Sequence, residues 1–137
     1  MDDVTRGGGM PPPPIDRDHR EPAGPAVDTA RLVRSLDGRE GLAKTIASSF
    51  VRDTEAQVAL LLEALGAGDR VQLTLLAHRF KGNLAILRAE RARAVAEDLE
   101  ETSQEDGNVA GLGGKVENLV AELRAVAVAL SAWTAAG

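Results

Sequence analysis

The sequence predicts an all-α protein folded as an up-down antiparallel helical bundle, on three observations. Ala, Leu, Val, Glu and Arg dominate, and Phe50, Phe80 and Trp133 are the only aromatic residues. These common residues, Val excepted, lose little side-chain freedom in a helix. All six prolines lie at or before Pro25, so none interrupts the remaining chain, where an interior proline would cost about 3 kcal/mol. Beyond that point apolar residues recur at steps of three and four, the repeat of one helix face. With 137 residues the chain has room for one domain with a substantial core.

Residues 1–27 contain "GGGMPPPPIDRDHREPAGP". Such a segment buries too little apolar surface to offset its ordering entropy, and a disordered Pro/Gly-rich leader or linker is expected. Its four-proline run favours an extended polyproline II conformation, with His19 nearby as a solvated bystander. The helical bundle is expected over residues 28–137. Asp28 can cap a short helix, "TARLVRSL", which Asp37 and Gly38 end.

A long helix follows, with Leu42, Ile46, Phe50, Thr54, Val58, Leu61 and Leu65 on one face. It stops at "GAGD", where Gly66 and Gly68 suit a helix C-terminus and Asp69 caps the next helix. There Leu73, Leu76, Phe80, Leu84 and Leu87 form the seam, and the pattern runs on through Ala92, Val95, Ala96 and Leu99. Periodicity alone allows one unbroken helix over 70–102, because no Gly or Pro marks a turn. "TSQEDGN" is expected to be a loop, and a last helix carries Val116, Leu119, Val120, Leu123, Ala127 and Leu130. Helices with one apolar face each, joined by short loops, bury those faces most simply as an up-down bundle.

The formal net charge is −5, which argues against nucleic-acid binding, whose usual footprint is a basic face. Charge is nevertheless uneven. Arg79, Lys81, Arg88, Arg91 and Arg93 face only Glu90 in their window, and then Glu97, Asp98, Glu100, Glu101, Glu105 and Asp106 follow without a base. Absence of cysteine leaves no disulfide or thiolate metal site. Asp2 and Asp3 stand where a signal peptide would be basic, and no uninterrupted apolar run approaches the roughly 18 residues of a membrane span. A cytoplasmic protein with no membrane association is expected.

Most enzyme templates fail on inventory. A di-iron bundle needs inward Glu-x-x-His pairs, and the folded part has one histidine, so no metal site is expected. "GLGGK" lacks both the glycine spacing and the Ser or Thr of a P-loop. No G-x-S-x-G elbow exists. His78 is better placed for other chemistry. At about 100° per residue it shares a face with Thr74, Lys81, Gly82 and Ala85, pointing away from the seam. Gly82 costs about 1 kcal/mol relative to Ala in a helix interior, so it needs a reason: close approach of a neighbouring helix, or room for a partner or a group carried on His78. Lys81 can neutralise an anion held there. A neutral imidazole offers one nucleophilic lone pair, and the constellation fits a phosphorylated histidine.

The stretch "AHRFKGNLAILRAERARAVAEDLE" resembles the signature of histidine-containing phosphotransfer (HPt) domains, which read Ala-His-x-Leu-Lys-Gly-Ser, then a Leu-Gly-Ala turn and a helix ending in Leu-Glu. Ala77, His78, Lys81, Gly82, Leu87, Ala89, Leu99 and Glu100 fall in register without a gap. The approach "LLLEALGAGDRVQLTLLAHRFKG" is similar too, and the likeness spans about residues 28–133. The resemblance implies a four-helix bundle with a short N-terminal cap helix and a helix break near Arg88. It implies that His78 accepts a phosphoryl group from a histidine kinase or a receiver-domain aspartate and passes it to another receiver. No ATPase or kinase activity and no cofactor of its own are implied, the Mg²⁺ coming with the receiver.

By the same resemblance Lys81 stabilises the phosphoryl group, Gly82 opens the docking surface, and Glu100 accepts a hydrogen bond from the second ring nitrogen. A basic patch of Arg79, Arg88 and Arg91 would face an acidic receiver pocket. The chain departs from the pattern at Arg88, where Gly is usual, and at Asn83 and Phe80, which replace Ser and Leu; Asn83 keeps the hydrogen-bonding capacity of the docking residue it replaces. The expected partners are a response-regulator receiver domain and a histidine kinase, with the protein a monomer. The rival reading is a helical adaptor, never phosphorylated, that binds and regulates a receiver or kinase.

Overall fold

A computed structural model describes residues 24–105 and 109–136. Five α-helices follow in order: α1 Thr29–Ser35, α2 Glu40–Gly66, α3 Arg70–Ile86, α4 Glu90–Ser103 and α5 Gly113–Ala136, the last preceded by a 3₁₀ turn at Val109–Leu112. There is no strand among the described residues. Side-chain pairs fix the directions. Glu55 meets Arg124 at 2.9 Å while Lys44 lies 5.4 Å from the Trp133 ring centroid, so α2 and α5 run antiparallel. Asp98 to Lys115 and Arg91 to Glu122 do the same for α4 and α5. Thr74 to Ser103 and His78 to Glu100 do so for α3 and α4. The result is an up-down four-helix bundle of α2 to α5 with α1 as a cap.

The core is mainly leucine, with Leu61, Leu73, Leu76, Leu84, Leu99, Leu119, Leu123 and Leu130 fully buried, each contributing about 1.5–3 kcal/mol of transfer free energy. The expected α3 seam is buried throughout, from Leu73 to Leu87. Asp28 and Asp69 accept from the backbone N–H groups of Arg31 and Gln72, both at 3.0 Å, satisfying donors that a helix start leaves open.

Several expectations are corrected. On α2 the leading half of the stripe is displaced: Leu42 is exposed and Ile46 and Phe50 are half-buried, while Ala43 and Ala47 carry the burial. Alanine leaves room for a neighbouring helix to approach closely, which a leucine at the contact would prevent. On α5 Val126 takes the core position expected of Ala127. Val27, assigned to the leader, is buried, and the backbone N–H of Asp28 donates to the Arg88 carbonyl at 3.1 Å. Ser103, read as loop, is the last residue of α4 and fully buried.

His19 and the proline run lie outside the described residues. Contrary to the expectation for the sequence, α5 is long and apolar enough by composition to cross a membrane, with a mean hydropathy of 1.5 in its best window. Its apolarity is that of a bundle helix, because Val116, Leu119, Leu123, Val126 and Leu130 are all in the core.

The continuous 70–102 helix does not form. It breaks at Leu87–Ala89, where the resemblance implied a turn. Arg88 adopts the left-handed conformation, φ +62°. Its N–H donates to the Ala85 carbonyl at 3.1 Å, and that of Ala89 to Leu84 at 2.9 Å, the pattern by which a left-handed residue closes a helix. Arginine does here what glycine usually does.

Candidate phosphoryl-acceptor site

His78 lies in the third turn of α3 with its side chain 68 % exposed. Its flanking neighbours explain the orientation. Ala77 and Phe80 are buried, which turns the intervening face outward. Nδ1 lies 2.8 Å from Oε2 of Glu100, which α4 presents from the opposite strand of the helical hairpin. A carboxylate only accepts, so in the neutral ring Nδ1 is the donor and the proton resides there. The Nε2 lone pair is then free. That is the nitrogen a nucleophilic imidazole would use.

Glu100 is only 13 % exposed, and its other oxygen, Oε1, lies 2.7 Å from Lys81 Nζ. The contact is an ion pair without hydrogen-bond alignment. Lys81, with some help against the cost of burial from His78, holds the Glu100 carboxyl below its ordinary range. Glu100 in turn raises the Lys81 ammonium above its own. Both groups are therefore charged across neutral pH.

Gly82, one turn beyond His78, is exposed, and a Cβ built there would meet nothing within 4 Å. Intramolecular packing thus gives no reason for this glycine, which removes close approach of a neighbouring helix as its explanation. Val71, Leu75 and Ile86 continue the same side of α3 as exposed apolar residues. Arg79 and Asn83 are exposed on the α2 side, where with Ile46, Phe50, Asp53 and Ile86 they line a groove of about 440 Å³. The expected basic patch does not assemble. Arg91 is drawn to Glu122 at 3.0 Å and to the Gly24 carbonyl at 3.1 Å, and Arg88 is half-buried in the turn. Of the three arginines, Arg79 alone is exposed beside His78 on α3.

Thr74, which the sequence places on the His78 face without a role, has a partner that the sequence assigns to a loop, Ser103. Thr74 Oγ1 and Ser103 Oγ lie 2.7 Å apart, one turn from His78 and Glu100 respectively. The available signal was a hydroxyl four residues before the histidine and another three after the glutamate. Among the described residues no group of three His, Asp or Glu side chains is placed to hold a metal ion.

The model of the Hpt domain family matches residues 45–132, from the second turn of α2 through most of α5, with the His78–Glu100 pair inside. The chain belongs to the Hpt domain family. Two solved structures share its fold. One is the HPt domain of a sensor hybrid histidine kinase from Shewanella, at 15 % identity and TM-score 0.74, over 82 % of this chain and 96 % of that one. Histidine-containing phosphotransfer protein B from Pseudomonas aeruginosa is 24 % identical with TM-score 0.71, over 84 % of this chain and 99 % of its own. A comparison with curated proteins finds no match. Hpt domains are phosphocarrier modules of two-component signalling without kinase activity of their own, and this chain has their phosphotransfer role.

Proposed function

We propose that His78 is the phosphoryl acceptor and that the protein carries this group between a histidine kinase or a receiver-domain aspartate and another receiver. One observation carries the reading: an imidazole otherwise open to solvent has Nδ1 held at 2.8 Å by a carboxylate. The Nε2 lone pair attacks the phosphorus of an aspartyl phosphate, the P–O bond to the acyl oxygen breaks, and the aspartate leaves as carboxylate. Positive charge develops on the ring as the N–P bond forms. Glu100 stabilises it through the Nδ1 proton, a charge-assisted hydrogen bond placed before the reaction begins. Transfer to the next receiver reverses these bonds.

Phosphoryl transfer rests mainly on positioning and charge neutralisation. Gly82 and the exposed apolar residues Val71, Leu75 and Ile86 supply a bare surface on which a receiver can bring its aspartate up to Nε2. Arg79 and Asn83 flank that approach. Lys81 holds Glu100 in place and offers its ammonium to the incoming phosphoryl oxygens.

Incubation with a phosphorylated receiver tests this. Acid-labile label should appear on the protein and be absent from His78→Gln. Label that survives the substitution overturns the assignment, and a regulatory effect fully retained by His78→Gln without any labelling favours the adaptor.

A further inference from the structure

The His78–Glu100 contact is one rung of a ladder between α3 and α4. Thr74 precedes His78 by one turn and Ser103 follows Glu100 by one turn, and their hydroxyl oxygens lie 2.7 Å apart. Ser103 Oγ also lies 2.9 Å from the Glu100 carbonyl, and Thr74 Oγ1 lies 3.0 Å from the Arg70 carbonyl. Each hydroxyl carries one proton, so two protons serve three contacts and either hydroxyl can donate to the other. Arg70 donates to the Glu105 carbonyl as a further rung.

Thr and Ser are among the shortest polar side chains. Their hydroxyls meet only where two helix backbones run close and in one register. Ser103 is fully buried, and a buried hydroxyl deprived of its partners is costly, so slippage or rotation of α4 is opposed at this rung. The group that Ser103 grips is the backbone of Glu100 itself.

We propose that Thr74 and Ser103 are positioning residues, whose hydroxyl pair sets the α3–α4 register that lays Glu100 on Nδ1 of His78. The consequence for phosphotransfer rests on His78 being the acceptor; the consequence for the ring does not. An imidazole left to itself in water favours the proton on Nε2, the nitrogen that must be free. Holding Glu100 against Nδ1 reverses that preference and keeps the reactive lone pair available.

Nitrogen-15 NMR of the His78 ring in the full chain reads the tautomer directly. Wild type should carry the proton on Nδ1. Ser103→Ala and Thr74→Val should shift it towards Nε2, and Thr74→Ser, which keeps the hydroxyl, should match wild type. Phosphotransfer from a phosphorylated receiver should slow about three- to tenfold in the first two and stay within about twofold in the third. Asp28→Ala removes the α1 cap and lowers stability without touching the ladder, so its tautomer should be that of wild type. An unchanged tautomer in folded Ser103→Ala and Thr74→Val overturns the positioning role, and Thr74→Val decides alone if Ser103→Ala does not fold. If wild type takes no phosphoryl group, the acceptor reading falls, while the tautomer comparison still decides this one.

Discussion

Glu100 bridges His78 and Lys81, one carboxylate oxygen 2.8 Å from the imidazole Nδ1 and the other 2.7 Å from the ammonium. The two halves of this bridge separate by substitution. Glu100→Gln keeps an oxygen that can accept from Nδ1 but loses the charge that answers the developing imidazolium. Glu100→Ala loses both. Phosphorylation of His78 should therefore slow in the order wild type, Gln, Ala, with Ala down about tenfold, equivalent to about 1.4 kcal/mol. Single-turnover transfer from a phosphorylated receiver measures it; a Gln variant as fast as wild type would remove charge from the account, and equal rates for Gln and Ala would remove the hydrogen bond.

The same bridge predicts a pH window for stability. Lys81 first, and His78 after it, hold Glu100 below its ordinary value of 4.5. A depressed carboxylate contributes stability that is present above its unfolded value and lost as pH falls through the folded one. Lys81 is raised above 10.5, chiefly by Glu100, so its share is present below that value and lost as pH rises through the raised one. The difference in urea midpoint between wild type and Lys81→Met should be level through neutrality and shrink at both extremes. A difference that peaks at either extreme contradicts the pairing.

Gly82 sets stability against function. It lies inside α3 with open space at its Cβ position, so Gly82→Ala should stabilise the protein by about 0.5–1 kcal/mol through helix propensity alone. Gly82→Gln should keep most of that gain while placing a long side chain in the path of an approaching receiver. Its phosphotransfer should fall about tenfold or more with the His78 tautomer unchanged. A Gln variant that transfers at the wild-type rate would show that the partner does not approach over this turn.

How far the sequence carries the fold depends on what each residue must do. Leu73, Leu76, Phe80, Leu84 and Leu87 are all buried as their spacing requires, because large apolar residues on one face have a single way to leave water. Leu42 misled because Ala43 and Ala47 hold the helix contact, and alanine is nearly silent in a hydrophobic pattern. His78 stood out through Lys81 and Gly82, and its contact with Glu100 was legible only through the family signature. The Thr74–Ser103 rung was not: Thr74 fell on the His78 face, but Ser103, a hydroxyl residue near a helix end, read as loop until the partner helix was in place. Arg88 hid the break, because nothing in an arginine announces a left-handed turn.

That turn yields the last prediction. At φ +62° an L-residue bears a cost of roughly 1 kcal/mol that glycine avoids, and the buried Nε of Arg88 finds no hydrogen-bond partner. Arg88→Gly should raise stability by about 1 kcal/mol, a few degrees in Tm, despite the lost packing of the arginine stem. Asn, which tolerates this conformation better than other side chains, should fall between Gly and the parent. Arg88→Ala should gain nothing, because alanine meets the same backbone cost. Urea unfolding of the three variants gives the order. Phosphotransfer should remain within about twofold in all of them, because Arg88 is held in the turn rather than offered to a partner. A larger loss in Gly and Ala alike would return Arg88 to the docking surface.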